Sequence, residues 1–254
     1  MRILALVKRV PATGGRINLA ADGRSIDTAY LGFVVSPHEE CAVEEAVRIV
    51  EAKGGEVVVM TLGPAEAVDQ LRDALAIGAE RAVHLETDGS DWDPVATATA
   101  LIDAIRGLEA DGGPFDLILV GNESADSGGY QVGVRVAVAL DRPMVNGVKE
   151  IRVEDGRATA WRQVSGGREV YEIPLPAVIG VREGLNLPRY PSVPGRLRAK
   201  RKEIERIEPT PLAGGLELIR LRLPVEQDKA VEILGTGPDA APRVVEILRE
   251  VGAL

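Results

Sequence analysis

Four short apolar runs, Met1–Val7, Glu56–Leu62, Arg81–Glu86 and Asp116–Val120, alternate through the first half of the chain with segments of helical period. In Glu39–Val50 the residues Ala42, Val43, Ala46, Val47 and Val50 recur at spacings of three and four. That spacing lines them along one face of a helix and leaves Glu44, Glu45 and Arg48 on a solvated face. Ala65–Ile77 is stopped by Gly78, and Val95–Glu109 is opened by Asp93 as N-cap and Pro94 in the first position. A strand that returns through a helix re-enters the sheet in the same direction, so these strands pair in parallel and the helices cover both faces. The expected fold is α/β, a mostly parallel, doubly wound sheet of Rossmann-like type. Ligands of such sheets gather at the carboxyl ends of the strands. Here those ends are Val7-Lys8-Arg9, Leu62-Gly63-Pro64 and Gly121-Asn122.

The fourth strand runs into Glu123-Ser124-Ala125-Asp126-Ser127-Gly128-Gly129-Tyr130-Gln131-Val132-Gly133, and apolar sequence then resumes as Val134–Leu140. A strand, a glycine-rich loop and a helix in that order point backbone amides outward at a helix N-terminus, which suits the phosphate of a nucleotide. The loop is neither G-x-x-x-x-G-K-[ST] nor G-x-G-x-x-G, so no lysine and hydroxyl stand ready for a triphosphate and its magnesium. Read blandly, Gly128-Gly129 are a tight turn and Gln131 an ordinary first-turn residue.

A net charge of −9 argues against nucleic acid as a general partner. The single cysteine, Cys41, excludes an intrachain disulfide and any self-contained Cys-ligated metal centre. With only His38 and His84 present, zinc hydrolase and Ser-His-Asp chemistry are disfavoured, and His38 by itself reads as a solvated loop residue. No apolar run approaches the roughly 20 residues of a membrane span, and the N-terminus enters a strand directly. The expected location is a reducing, cytoplasmic compartment, or the mitochondrial matrix in a eukaryote.

Beyond Pro143, Lys149–Val164 alternates around Asp155-Gly156, a strong hairpin signal. Ser165-Gly166-Gly167 and Arg168–Ile173 add a second hairpin, so an antiparallel flank is expected, and Pro174–Val181 re-enters as an apolar strand. Leu187–Pro194 then carries three prolines in the seven positions from Pro188 to Pro194, and Arg196–Lys202 carries five positive charges in seven. A short amphipathic helix, a Pro-rich linker and one or two helices over Val225–Gly235 and Ala240–Val251 are expected after it. The organisation expected is a nucleotide-binding domain over 1–182, a projecting loop and short helix over 183–207, and an extended C-terminal arm over 208–254.

Six elements now stand in a familiar order: Val7-Lys8-Arg9-Val10, Ala42–Arg48, Gly63-Pro64 with Ala74–Ala79, Asp126…Gln131-Val132-Gly133, Leu175-Pro176-Ala177-Val178 and Leu187-Pro188-Arg189-Tyr190. Over nearly its whole length the chain resembles the β subunit of electron transfer flavoprotein. The resemblance implies pairing with an α subunit that holds most of a redox-active FAD, while β holds a structural AMP. By position it implies nucleotide contacts at Leu6, at Ser36, Pro37, His38 and Glu39, at Leu62, and through the run Glu123–Val134. Arg162 matches an arginine near the subunit interface and the flavin. Two positions depart from the family: Ser36 stands where Asn is common, and Thr13 where some relatives carry an aromatic residue near the flavin.

The resemblance further implies that Arg189, Tyr190 and Val193 lie in a loop that docks on acyl-CoA dehydrogenases, with Val193 as its aliphatic anchor. The carrier would be no enzyme itself, and would pass electrons to a membrane-bound electron transfer flavoprotein–quinone oxidoreductase. The basic run Arg196–Lys202 would steer acidic partners or simply be solvated. Two alternatives stay open. One is a bifurcating or nitrogen-fixation-type relative with a second FAD in place of AMP. The other is a solitary nucleotide binder of stress-protein or ATP-pyrophosphatase type.

Overall fold

The computed structural model describes residues 1–12, 14, 16–212, 215–224 and 232–254. Thr13 and most of the first expected C-terminal helix therefore lie outside the described residues. In chain order the strands are β1 (Arg2–Leu6), β2 (Arg9–Pro11), β3 (Phe33–Val35), β4 (Glu56–Gly63), β5 (Arg81–Glu86), β6 (Leu117–Gly121), β7 (Met144–Glu154), β8 (Arg157–Val164), β9 (Gly167–Pro174), β10 (Ala177–Val181) and β11 (Glu205–Ile207). The helices are α1 (Pro37–Lys53), α2 (Val68–Ile77), α3 (Pro94–Gly112), α4 (Val132–Ala139), α5 (Val193–Arg201) and α6 (Ala241–Glu250). A 3₁₀ turn over Ala65–Ala67 precedes α2, and another over Gly237–Ala240 precedes α6.

The main sheet runs β11-β5-β4-β1-β6-β10-β7-β8-β9. Pairing is parallel from β11 to β7 and antiparallel across β7-β8-β9. Alternation along each central strand divides the core into two layers. Ile3, Ala5, Val57, Val59, Leu117 and Leu119 pack with α1 and α2 on one face. Leu4, Val58, Met60, Ile118 and Val120 pack with α3 and α4 on the other. The chain steps from β1 outward through β4 and β5, then crosses by α3 to β6 on the opposite side of β1. The change of direction therefore falls between β1 and β6, and their carboxyl ends flank a crevice.

Local signals account for much of this. Asp93 caps α3 through Val95 N at 2.7 Å and Ala96 N at 3.3 Å, with Pro94 in the first turn. Asp155 and Gly156 turn β7 into β8 with φ of 49° and 73°, the paired left-handed conformation of a type I′ hairpin.

Several expectations are corrected. The basic run is itself helical, forming the body of α5, and the segment after it is no helix: β11 pairs with β5 at the sheet edge. The stretch between β2 and β3, read as loop alone, is flanked by a small antiparallel pair. Glu44 is not solvated; its side chain is 1% exposed, because Arg48 and Arg189 enclose it. The C-terminal tether touches its own domain, where Leu221 N donates to Gly23 O at 2.8 Å and Arg24 Nε to Ile219 O at 3.3 Å. No helix among the described residues is long and apolar enough to cross a membrane.

Candidate functional site

The crevice is built from three segments: the end of β1 with Val7-Lys8, the start of α1 at Ser36–Glu39, and the β6–α4 loop. Lys8 anchors the first to both others. Its backbone N donates to Glu39 Oε2 at 2.8 Å, and its Nζ donates to Asp126 Oδ2 at 2.5 Å. Gly121 allows the approach of α1, since a Cβ there would lie 2.6 Å from Glu39 Cγ. Gly133 plays the same part under α4, where a Cβ would meet Val120 Cγ2 at 2.8 Å and Met144 Cε at 3.0 Å. The first turn of α4 is thereby seated directly on the carboxyl end of β6, with its amides free of intrahelical partners.

The loop has internal order. Asp126 Oδ1 accepts from Ser127 N at 2.7 Å, Ser124 Oγ and Ser127 Oγ lie 2.9 Å apart, and Gly128 N donates to Ser124 O at 3.0 Å. Tyr130 sits at φ 56°, a left-handed conformation that a bulky residue adopts only where its surroundings over-determine it. Gln131 Oε1 accepts from Arg135 at 3.0 Å across the first turn of α4.

His38 is part of the site wall. It stands in the first turn of α1, its Nδ1 accepts from Glu183 N at 2.8 Å, and its Nε2 is 3.5 Å from Glu123 Oε1. The solvated-loop reading of His38 is thus corrected: its ring joins the exit of β10 to the nucleotide-type loop. Ser36 occupies the N-cap position of α1, yet its buried Oγ makes no capping bond and has no partner. A buried hydroxyl left unpaired costs about 1–3 kcal/mol, so Ser36 offers a hydrogen-bonding group that the chain itself does not use.

The charges are arranged to tolerate an anion. Burial pushes the Glu39 carboxyl up to about 8, against the opposing hydrogen bond from Lys8 N, so at neutral pH it is largely protonated. Burial also works to raise Asp126, but the hydrogen bond and charge of Lys8 outweigh it and hold Asp126 below the usual carboxylate range. One acid is neutral and the other is paired, and the amides of α4 add the positive end of a helix dipole. Backbone amides, an unpaired buried hydroxyl and a neutralised floor together fit a nucleotide monophosphate.

Of the other expected residues, Leu6 closes β1 and is buried, while Leu62 lies near the end of neighbouring β4 and packs on the α3 face. Arg162 is on β8, outside the crevice floor. Its guanidinium bonds Glu169 and the Tyr171 hydroxyl, the latter at 2.9 Å. Gly147 lies between Arg162 and Asn122: a Cβ there would be 3.4 Å from Arg162 Cδ and 3.8 Å from Asn122 Oδ1. Arg162 therefore borders the crevice on its hairpin side. Arg189, Tyr190 and Val193 are on the distant side of α1 and near α2, and take no part in the crevice. Lys8 is the site residue that the sequence reading left unassigned, although it stood in the quoted Val7-Lys8-Arg9-Val10 motif.

Fold and crevice together define a Rossmann-like, doubly wound α/β protein with a glycine-containing loop at its switch point. The chain belongs to the electron transfer flavoprotein family, as a member of its β-subunit branch. Residues 25–212 match the family model described as electron transfer flavoprotein domain. The electron transfer flavoprotein subunit beta of Syntrophomonas wolfei is 34% identical over 251 residues, covering 98% of this chain and 96% of the relative. That of Bacillus subtilis is 32% identical, with 98% of each chain covered. The subunit named mitochondrial from Oryza sativa subsp. indica is 36% identical over 84% of this chain and 83% of its own.

Proposed function

We propose that the chain pairs with an α subunit as an electron carrier, holding a structural AMP in the β1–β6 crevice while α supplies most contacts to a redox-active FAD. The carrier accepts electrons from acyl-CoA dehydrogenases and other flavin dehydrogenases and delivers them to a membrane quinone oxidoreductase, working in the cytoplasm or a mitochondrial matrix. The single observation that carries the reading is the Lys8–Asp126 closure of the β6–α4 loop above the unpaired Ser36 hydroxyl.

When bound, the flavin supplies reversible electron transfer, and no acid, base or nucleophile of this chain is required. The chain's residues bind and position. Amides between Glu123 and Val134, including those of Ala125, Gly129 and Val132, cradle the phosphate. Asp126 and Ser36 serve the ribose, and backbone groups near Leu6, Leu62 and Pro37–Glu39 border the adenine. Arg162 stands at the rim toward the flavin. Apolar side chains exposed on α4 and β9, among them Val138 and Val170, and the arm ending in α6 supply surface for the α subunit.

Co-expression with an α subunit, followed by acid release and chromatography of the bound nucleotides, tests the reading. One FAD and one AMP per pair is the expected result. Two FAD and no AMP would replace the simple carrier by the two-flavin type.

A further inference from the structure

The segment that leaves β10 is fastened to α1 by a ladder of polar contacts. Asn186 Nδ2 donates to Cys41 O at 3.0 Å and to Glu45 Oε2 at 2.9 Å. Arg48 donates to Leu187 O at 3.2 Å. Arg189 contributes most: its backbone N and its Nε donate to Glu44 Oε2 at 3.1 and 3.0 Å, while Nη1 and Nη2 form a fork onto Glu51 at 2.6 and 2.8 Å. Three residues further on, Ser192 caps α5 through Gly195 N at 3.1 Å. Gly195 is pressed on α2, where a Cβ would lie 2.5 Å from Ala76 O.

Both ends of Leu187–Val193 are thus fixed to different helices, yet its large apolar side chains face outward. Leu187 is 84%, Tyr190 89% and Val193 73% exposed. Glu44 is almost completely buried, and a buried carboxylate is stable only when its charge is matched. Burial works to raise it, but hydrogen bonds from Arg189 and then Arg48 hold it low, while bonds to Glu51 and Glu44 raise Arg189. A planar guanidinium satisfies two carboxylates and a fixed backbone at once, which an ammonium cannot do.

We infer that the Glu44–Arg189–Glu51 clamp is a positioning device that holds Leu187, Tyr190 and Val193 in a preformed arrangement for an apolar pocket on the electron-donating dehydrogenase. The inference rests on the carrier function proposed above and moves Arg189 from contact residue to positioning residue. A surface ordered before encounter loses little conformational freedom on docking, which favours fast exchange between partners.

The test uses the full αβ complex with its nucleotides and a medium-chain acyl-CoA dehydrogenase as donor. Arg189→Lys keeps the charge but loses the fork. It should raise the apparent KM for the carrier about three- to tenfold at little-changed kcat, with faster amide hydrogen exchange in residues 186–193. Glu51→Ala removes only the exposed half of the clamp, so it keeps the test open should Arg189→Lys fold poorly, and it should shift both readouts in the same direction by less. Val193→Ala should raise KM with exchange unchanged. Normal exchange in both clamp variants overturns the clamp. Faster exchange with unaltered KM, while Val193→Ala raises KM, overturns its role in presentation. If Val193→Ala itself leaves KM unaltered, the docking reading falls and this inference falls with it.

Discussion

Lys8 and Asp126 are 118 residues apart in sequence and 2.5 Å apart in space, joining the end of β1 to the β6–α4 loop. The pair is partly exposed, so its direct share of folding stability is small, about 0–1 kcal/mol. Its consequence is for the crevice: the loop is held across the switch point, and the negative charge beside the phosphate position is cancelled.

Replacing Asp126 by Ala should therefore act mainly on nucleotide retention. Loss of a charge-assisted bond to ribose or to ordered amides costs about 1.5–3 kcal/mol. The nucleotide-to-protein ratio after exhaustive dialysis checks this, beside a thermal melt. A variant that keeps both its nucleotide and its melting temperature would reduce the pair to surface solvation.

Glu39 makes stability depend on pH in a definite direction. Its folded value of about 8 lies above the ordinary value of 4.5 because burial disfavours the charge. Between those values the unfolded chain has released the proton and the folded chain retains it, so this group's contribution declines as pH rises from about 4.5 to about 8. Glu39→Gln keeps an acceptor for Lys8 N and cannot titrate. Denaturation at pH 5 and at pH 8.5 should show the wild type losing stability relative to the variant on going to the higher pH; parallel curves would contradict the assignment.

Gly133→Ala should be costly where Gly129→Ala is not. The first places a Cβ 2.8 Å from Val120 Cγ2, whereas the second meets nothing within 4 Å. Overpacking of this kind costs about 1–3 kcal/mol and would lift α4 from the end of β6. Equal melting temperatures and equal nucleotide content in the two variants would show that the α4 seat is dispensable.

Truncation after Pro224 should abolish pairing with the α subunit and leave the sheet domain folded. α6 buries none of its residues in this chain, and Val244, Val245 and Leu248 are all partly exposed on it. Contacts of the tether with Gly23 and Arg24 precede the cut and are retained. Size-exclusion chromatography of the co-expressed subunits decides the matter, and a truncated chain that still elutes with α would refute it.

The α/β alternation, the Asp93-Pro94 helix start, the Asp155-Gly156 hairpin and the strand–loop–helix around Asp126 were all legible in sequence, because each depends on residues a few positions apart. Periodicity and turn chemistry carry such information directly. Glu44 shows where this stops: its helical phase reads as solvated, and only the return of the chain 145 residues later, bringing Arg189 over it, makes it buried. His38 became a wall residue for the same reason, through Glu183 at the exit of β10. The insertion of β10 between β6 and β7, and the addition of β11 beside β5, are pairings between distant segments. Local sequence marks a segment as apolar and extended, but the neighbour it pairs with is chosen by how the whole sheet closes its core and satisfies its edges, and that is decided only in the tertiary structure.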